Sequence, residues 1–105
     1  MKDESLLITE NIQDEICRLV AKGRIDSSSS DVLLYRLEEA LKEKHKTIIL
    51  NMSQVEFLSS VGIRVILKIY KKAAEEGGKF NIESPSQIVR NVLGMAALEE
   101  MLVKD

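Results

Sequence analysis

A chain of 105 residues supplies material for one domain with one apolar core. It is 45% hydrophobic and 30% charged with a net charge of −2, which excludes long disorder and a basic nucleic-acid surface. With one cysteine and one histidine, an internal disulfide and an ordinary N/S zinc site are out of reach.

In chain order, Leu6-Leu7-Ile8-Thr9 is a short apolar run suited to a strand. Asn11 and Gln13-Asp14 supply turn chemistry before a second run from Ile16 to Ala21, so the two read as a hairpin ending at Gly23. Cys17 lies inside that run and reads as a small buried hydrophobe. Asp26 and the run Ser27 to Ser30 then offer hydroxyls to the free N–H groups of a helix start, over about Asp31 to Glu43. The same serines read alternatively as a secondary phosphorylation site. Leu33, Leu37, Ala40 and Leu41 share one face of that helix, and Glu38 and Lys42 are spaced for an outer ion pair. The basic stretch Lys42, Lys44, His45 and Lys46 is interleaved with glutamates and reads as a solvated helix end.

Thr47-Ile48-Ile49-Leu50 is continuously apolar, as a central strand requires, and Asn51 to Leu58 reads as a loop. A second helix is predicted from Ser60 to about Glu75, its stripe carried by Val61, Val65, Ile69 and Ala73, with Gly77-Gly78 as its stop. Phe80-Asn81-Ile82 is the next strand. Ser84-Pro85 predicts a third helix, with serine as cap and proline in the first turn, an apolar face of Ile88, Val89, Val92 and Leu93, and Gly94 closing it. Ala96 to Leu102 is a last short helix that leads into an edge strand around Leu102-Val103. Met95, Leu98, Met101 and Leu102 read as the face by which this last helix packs on the core, with a self-association patch as the alternative. The order β-β-α-β-α-β-α-α predicts an α/β domain over residues 1–105: a mixed sheet of four to five strands packed with three to four helices.

The chain lacks a phosphate loop, a dinucleotide fingerprint and a nucleophile elbow, and Ser59 and Ser60 have no histidine for a triad. No enzymatic activity, cofactor or metal is expected. The N-terminal residues lack the apolar stretch of a signal peptide, and no run approaches the roughly 18 apolar residues of a membrane span, so a cytoplasmic protein without membrane insertion is expected. The informative segment is Thr47 to Tyr70, where two serines stand at a helix N-terminus. Free N–H groups and the positive end of the helix dipole favour an anion there, so a phosphate would be tolerated. Read from these residues alone, the pair is either an ordinary helix cap, with Gly62 as a close-packing glycine, or a modifiable switch.

This segment resembles the signature of the STAS family: Ile48-Ile49-Leu50-Asn51, then Val55 and Phe57, then Ser59-Ser60-Val61-Gly62-Ile63-Arg64-Val65-Ile66-Leu67. A second matching feature is Gly23-Arg24-Ile25-Asp26 before the first helix. The resemblance spans essentially the whole chain and is strongest to the anti-sigma-factor antagonists. It implies that Ser60, two residues before the glycine, is phosphorylated by an anti-sigma factor with serine kinase activity, and that Ser59 is the competing acceptor. The unphosphorylated form would bind that anti-sigma factor and free the sigma factor; a phosphatase would reset the switch. Asp26, Ser59, Ser60, Gly62 and Arg64 would lie on the partner face. Many members carry Asp where this chain has Ser59 and Asn51, which leaves the kinase partner less defined than the fold. The alternative within the same family is a docking subunit of a transport or stress-signalling complex, without phosphorylation. Oligomeric state is left open.

Overall fold

The computed structural model describes residues 5–43 and 45–102. Strands β1 (Leu6–Gln13) and β2 (Ile16–Ile25) lead to helix α1 (Ser30–Lys42), and β3 (Thr47–Leu58) leads to α2 (Ser60–Glu75). Strand β4 (Lys79–Glu83), helix α3 (Gln87–Met95) and a 3-10 turn, Glu99–Met101, complete the order. The sheet order is β1-β2-β3-β4; β1 is antiparallel to β2, and β2, β3 and β4 are parallel. The predicted α/β architecture therefore holds, with four strands and three α-helices among the described residues. Leu102 adds one parallel bridge to Ile82, where an edge strand was expected; Val103 and Lys44 lie outside the described residues.

Alternation sets the layers. Cys17, Leu19 and Ala21 of β2, Ile48, Leu50 and Met52 of β3, and Phe80 and Ile82 of β4 are buried. They form one cluster with Leu33 and Leu37 of α1, Ile66 and Ile69 of α2, and Val89 and Leu93 of α3. The intervening residues Arg18, Val20, Ile49, Asn51, Asn81 and Glu83 are only partly covered, as expected for the opposite sheet face.

Several boundaries depart from the sequence reading. The segment Asn51 to Leu58, expected as a loop, is the second half of β3. Between Val20 and Lys22 on β2, β3 runs from Asn51 to Gln54, and between Gly23 and Arg24 it runs from Val55 to Phe57. Each shift gives β3 one extra residue, so its buried positions fall at Met52, Val55 and Leu58 instead of alternating by two. Gly23 does not end β2; with φ of 118° it kinks the strand where Arg24 N–H donates to Ser5 O at 2.7 Å.

The cap of α3 is Ser86, not Ser84. The Ser86 hydroxyl donates to Val55 O at 2.7 Å and accepts from Val89 N–H at 3.4 Å, pinning the helix start beside the overhanging half of β3. That helix passes Gly94 and ends at Met95, and beyond it Ala97, with φ of 57°, closes the last turn with Leu98 N–H on Leu93 O. Gly77 stops α2 in the same way, as predicted. The last short helix contracts to the 3-10 turn; Met101 is fully buried and Leu98 and Leu102 pack on the core as expected, while Met95 is exposed. On α1, Lys42 pairs with Glu39 rather than Glu38; Glu38 reaches across to Lys68 of α2.

Candidate functional site

The site is built where two parallel strands stop together. Ile25 at the end of β2 pairs with Leu58 at the end of β3, and Ser59 N–H extends the ladder by donating to Ile25 O at 2.8 Å. The chain leaves this shared edge along two routes, Asp26 into α1 and Ser59 into α2. Loops at the carboxyl ends of parallel strands are the usual place for a site.

On the second route Ser59 is extended, with φ −87° and ψ 170°, and its hydroxyl oxygen accepts from Gly62 N–H at 3.2 Å. This is an N-cap. Ser60 is the first residue of the helix and is exposed. It therefore stands among the N–H groups that a helix start leaves without intrahelical partners. Gly62 is buried: a Cβ there would come within 2.6 Å of Ile25 Cγ2 and 2.8 Å of Leu58 Cδ1. The missing side chain lets α2 sit down on both strand ends. Arg64, one turn beyond Ser60, is exposed.

On the first route the serine run is not a simple helix cap. Asp26 Oδ1 accepts from Ser28 N–H at 3.0 Å, the Ser28 hydroxyl at 2.8 Å and Ser29 N–H at 3.1 Å. Ser29, although at the cap position, turns its hydroxyl back on the strand end, donating to Arg24 O at 2.6 Å and accepting from Asp26 N–H at 3.0 Å. The Ser28 hydroxyl foremost, with the Ser28 and Ser29 N–H groups and the Ser29 hydroxyl, holds the Asp26 carboxyl below the usual range despite some desolvation. Ser29 and Ser30 are buried, so a modification in this run has only Ser27 and Ser28 exposed to it.

Asp26, Ser59, Ser60 and Arg64 thus share one end of the sheet. The sequence reading missed two participants in that role. The Arg24 guanidinium lies over the Phe57 ring, 4.5 Å from its centroid, and 3.8 Å from the Asp26 carboxylate. Arg24 and Phe57 are register partners, a relation hidden while β2 ended at Gly23 and Phe57 lay in a loop. Cys17 is fully buried in the sheet, and burial first, then the Glu10 and Glu43 carboxylates, push its thiol up to about 11 against the pull of Arg36.

A cleft of about 820 Å³ lies at the other end of the sheet, lined among others by Lys42, His45, Lys46, Lys72 and Lys79. Its cations stand where α1 and α2 end and offset the negative ends of both helices. Lys42, His45 and Lys46 also meet Glu39, Glu43 and Glu15. Among the described residues no three His, Cys, Asp or Glu side chains gather as a metal site, and no helix is long and apolar enough to cross a membrane.

Comparison with known proteins bears on the fold. The family model for the STAS domain matches residues 8–104. The chain is 27% identical over 81 residues to the anti-sigma F factor antagonist of Paenibacillus polymyxa, covering 76% of this chain and 69% of that protein. An anti-sigma factor antagonist from Mycobacterium paratuberculosis superposes with a TM-score of 0.84 at 21% identity, over 96% of this chain and 86% of that one. SpoIIAA in its unphosphorylated form superposes at 0.81 with 18% identity, over 94% and 88%. The phosphorylated form of Bacillus SpoIIAA gives 0.75 at 18% identity, over 94% and 91%. The three solved structures share the fold.

Proposed function

Because the chain belongs to the STAS domain family, we propose that it is an anti-sigma factor antagonist whose docking is switched by phosphorylation of Ser60. The observation that carries this reading is the placement of Ser60: exposed, in the first turn of α2, on the same sheet end as the Asp26 loop. The serine kinase partner transfers the γ-phosphoryl group of ATP to Ser60 Oγ. The bond to the bridging β-phosphate oxygen breaks, the new O–P bond forms, and the hydroxyl proton passes to a base of the kinase. The resulting group carries about −1.5 to −2 charges near neutral pH. The N–H groups at the start of α2 and its dipole tolerate that charge, so the domain stays folded while its surface gains negative charge. A partner surface fitted to the bare hydroxyl then meets a hydrated dianion, and docking is lost. A phosphatase restores the hydroxyl.

Ser59 is the weaker candidate because its hydroxyl already caps Gly62 N–H, and modifying it would disturb that cap. Incubation with ATP and an anti-sigma kinase of the source organism is expected to add one phosphate by intact mass, and Ser60→Ala to lose it. Ser60→Asp is expected to weaken binding of the same kinase. A phosphate that persists in Ser60→Ala overturns the assignment of the residue. Binding that Ser60→Asp leaves unchanged overturns the switch and favours a constitutive docking subunit.

A further inference from the structure

Resting on that reading, we propose that Arg64 is the exchangeable cation of the switch: it pairs with a carboxylate on the partner while Ser60 is bare and with the phosphate once Ser60 is modified. The partner surface is accordingly acidic around an apolar centre.

Spacing along α2 supplies the first support. Ser60, Arg64, Leu67 and Lys71 recur at helical intervals of four, three and four, which lines them along one side of the helix over roughly 16 Å. Ile63 and Leu67 on this side are half-buried and give it an apolar seam, while Ser60, Arg64 and Lys71 are exposed. Between Ser60 and Ala74 the helix holds no acidic residue. A chain of net charge −2 thus presents a local cationic strip that begins at the proposed acceptor. Matching charge across an interface steers association and fixes register, so the strip selects an acidic counterpart.

The second support is that Arg24 and Lys68, unlike Arg64, are already engaged. Arg24 stacks on Phe57 and faces Asp26, and Lys68 meets Glu38 at 3.8 Å. Among the described residues Arg64 forms neither an ion pair nor a side-chain hydrogen bond. An acid one helical turn N-terminal to a base is the favourable order for an i, i+4 pair, and phosphate at Ser60 with Arg64 reproduces it. A guanidinium can grip two phosphate oxygens at once. Phosphorylation then acts twice on docking: it adds negative charge facing an acidic surface, and it withdraws the cation that the surface recognised.

Two measurements test this, and neither needs the native modification to be known. Phosphoserine installed at position 60 during translation permits a ³¹P titration of the isolated protein. Arg64→Gln is expected to raise the phosphate's second pKa by about 0.5, and Arg64→Lys by less. In the bare form, Arg64→Gln is expected to weaken binding to the anti-sigma kinase by about 5- to 20-fold and to flatten its salt dependence, with Arg64→Lys retaining most of both. An unchanged ³¹P pKa or an unchanged affinity in Arg64→Gln overturns the exchange. Either result leaves the Ser60 assignment intact, because that assignment falls only with the phosphotransfer and Ser60→Asp experiments.

Discussion

On the partly open face of the sheet, the Asn51 side-chain amide donates to a Glu83 carboxylate oxygen at 3.0 Å. Arg18 Nε reaches the same oxygen at 3.0 Å, so one carboxylate ties the three parallel strands together. Asn51 Oδ1 meanwhile accepts from Ser53 N–H and the Ser53 hydroxyl. An aspartate at this position would keep the Ser53 contacts but set a second carboxylate against Glu83. Asn51→Asp is expected to destabilise the domain by about 1 kcal/mol at neutral pH, through a lost donor and a like-charge contact softened by partial solvent access. Two facing carboxylates raise each other's folded pKa, so the deficit is expected to shrink as pH falls from 7 to 4. Urea unfolding at both pH values checks this; an equal deficit at pH 7 and pH 4 refutes the like-charge account.

Gly62 makes a second prediction, this one steric. Ile25 and Leu58, which crowd its missing side chain, are almost completely buried and have little room to retreat. Alanine is the better helix former by up to about 1 kcal/mol, while forcing a methyl group into a packed core costs about 1–3 kcal/mol. The second effect wins, and Gly62→Ala is expected to lose about 1 kcal/mol in denaturant unfolding. Because α2 would be lifted from both strand ends, amide shifts are expected to spread to Asp26 and Ser59. A stabilised variant with shifts confined to α2 would contradict the close-packing role.

How far the sequence carried the fold depends on whether its periodicities were left undisturbed. Helix α2 was legible to its ends, because Val65, Ile69 and Ala73 keep helical spacing and Gly77 supplies a positive φ at the stop. The second half of β3 was not, because two inserted residues change the interval between Met52, Val55 and Leu58 from two to three. Losing that half also hid the pairing of Arg24 with Phe57 and the route by which Asp26 comes beside Ser59. Ser84-Pro85 misled for a different reason: Ser86 is chosen as cap by its long-range bond to Val55 O, which no local pattern contains. At the site, a serine pair at a helix start was legible from local chemistry, while the choice of Ser60 over Ser59 came from the family resemblance. The burial of Gly62 under Ile25, and the internal use of the serine run by Asp26, depend on which strands end together.

Cys17 yields a prediction about alkaline stability. Its folded thiol pKa stands near 11 against an ordinary 9.0. Between these values the unfolded chain releases a proton that the folded chain retains, so stability is complete below pH 9 and falls as pH rises toward 11. The slope attributable to this thiol approaches about 1.4 kcal/mol per pH unit inside that window. Comparison with Cys17→Ala isolates it from tyrosine ionisation, and the variant is expected to show a shallower decline. A thiol reagent at pH 8 is expected to leave the native protein unmodified and to react once on unfolding. Rapid labelling of the native protein would contradict the burial that raises the pKa.

Asp26 behaves in the opposite sense. Its folded carboxyl lies below the ordinary 3.8 because the Ser28 and Ser29 donors prefer the ionised form. A depressed folded pKa gives stability that is present above the unfolded value and is lost as pH falls through the folded one, so the effect is confined to the region below about pH 4. Carboxyl ¹³C titration is expected to find Asp26 below the ordinary aspartate value, and Ser28→Ala to move it upward, since the Ser28 hydroxyl is the largest contributor. Asp26→Asn is expected to flatten the acid limb of the stability curve in that region while leaving the alkaline limb unchanged. Ser29→Ala acts mainly through a backbone bond: it leaves Arg24 O without its hydroxyl donor and is expected to cost about 1–2 kcal/mol at any pH from 5 to 8, with a smaller upward shift of the Asp26 titration than Ser28→Ala gives. If Ser28→Ala leaves the Asp26 titration where it was, the carboxylate is not the acceptor that shapes the turn between β2 and α1.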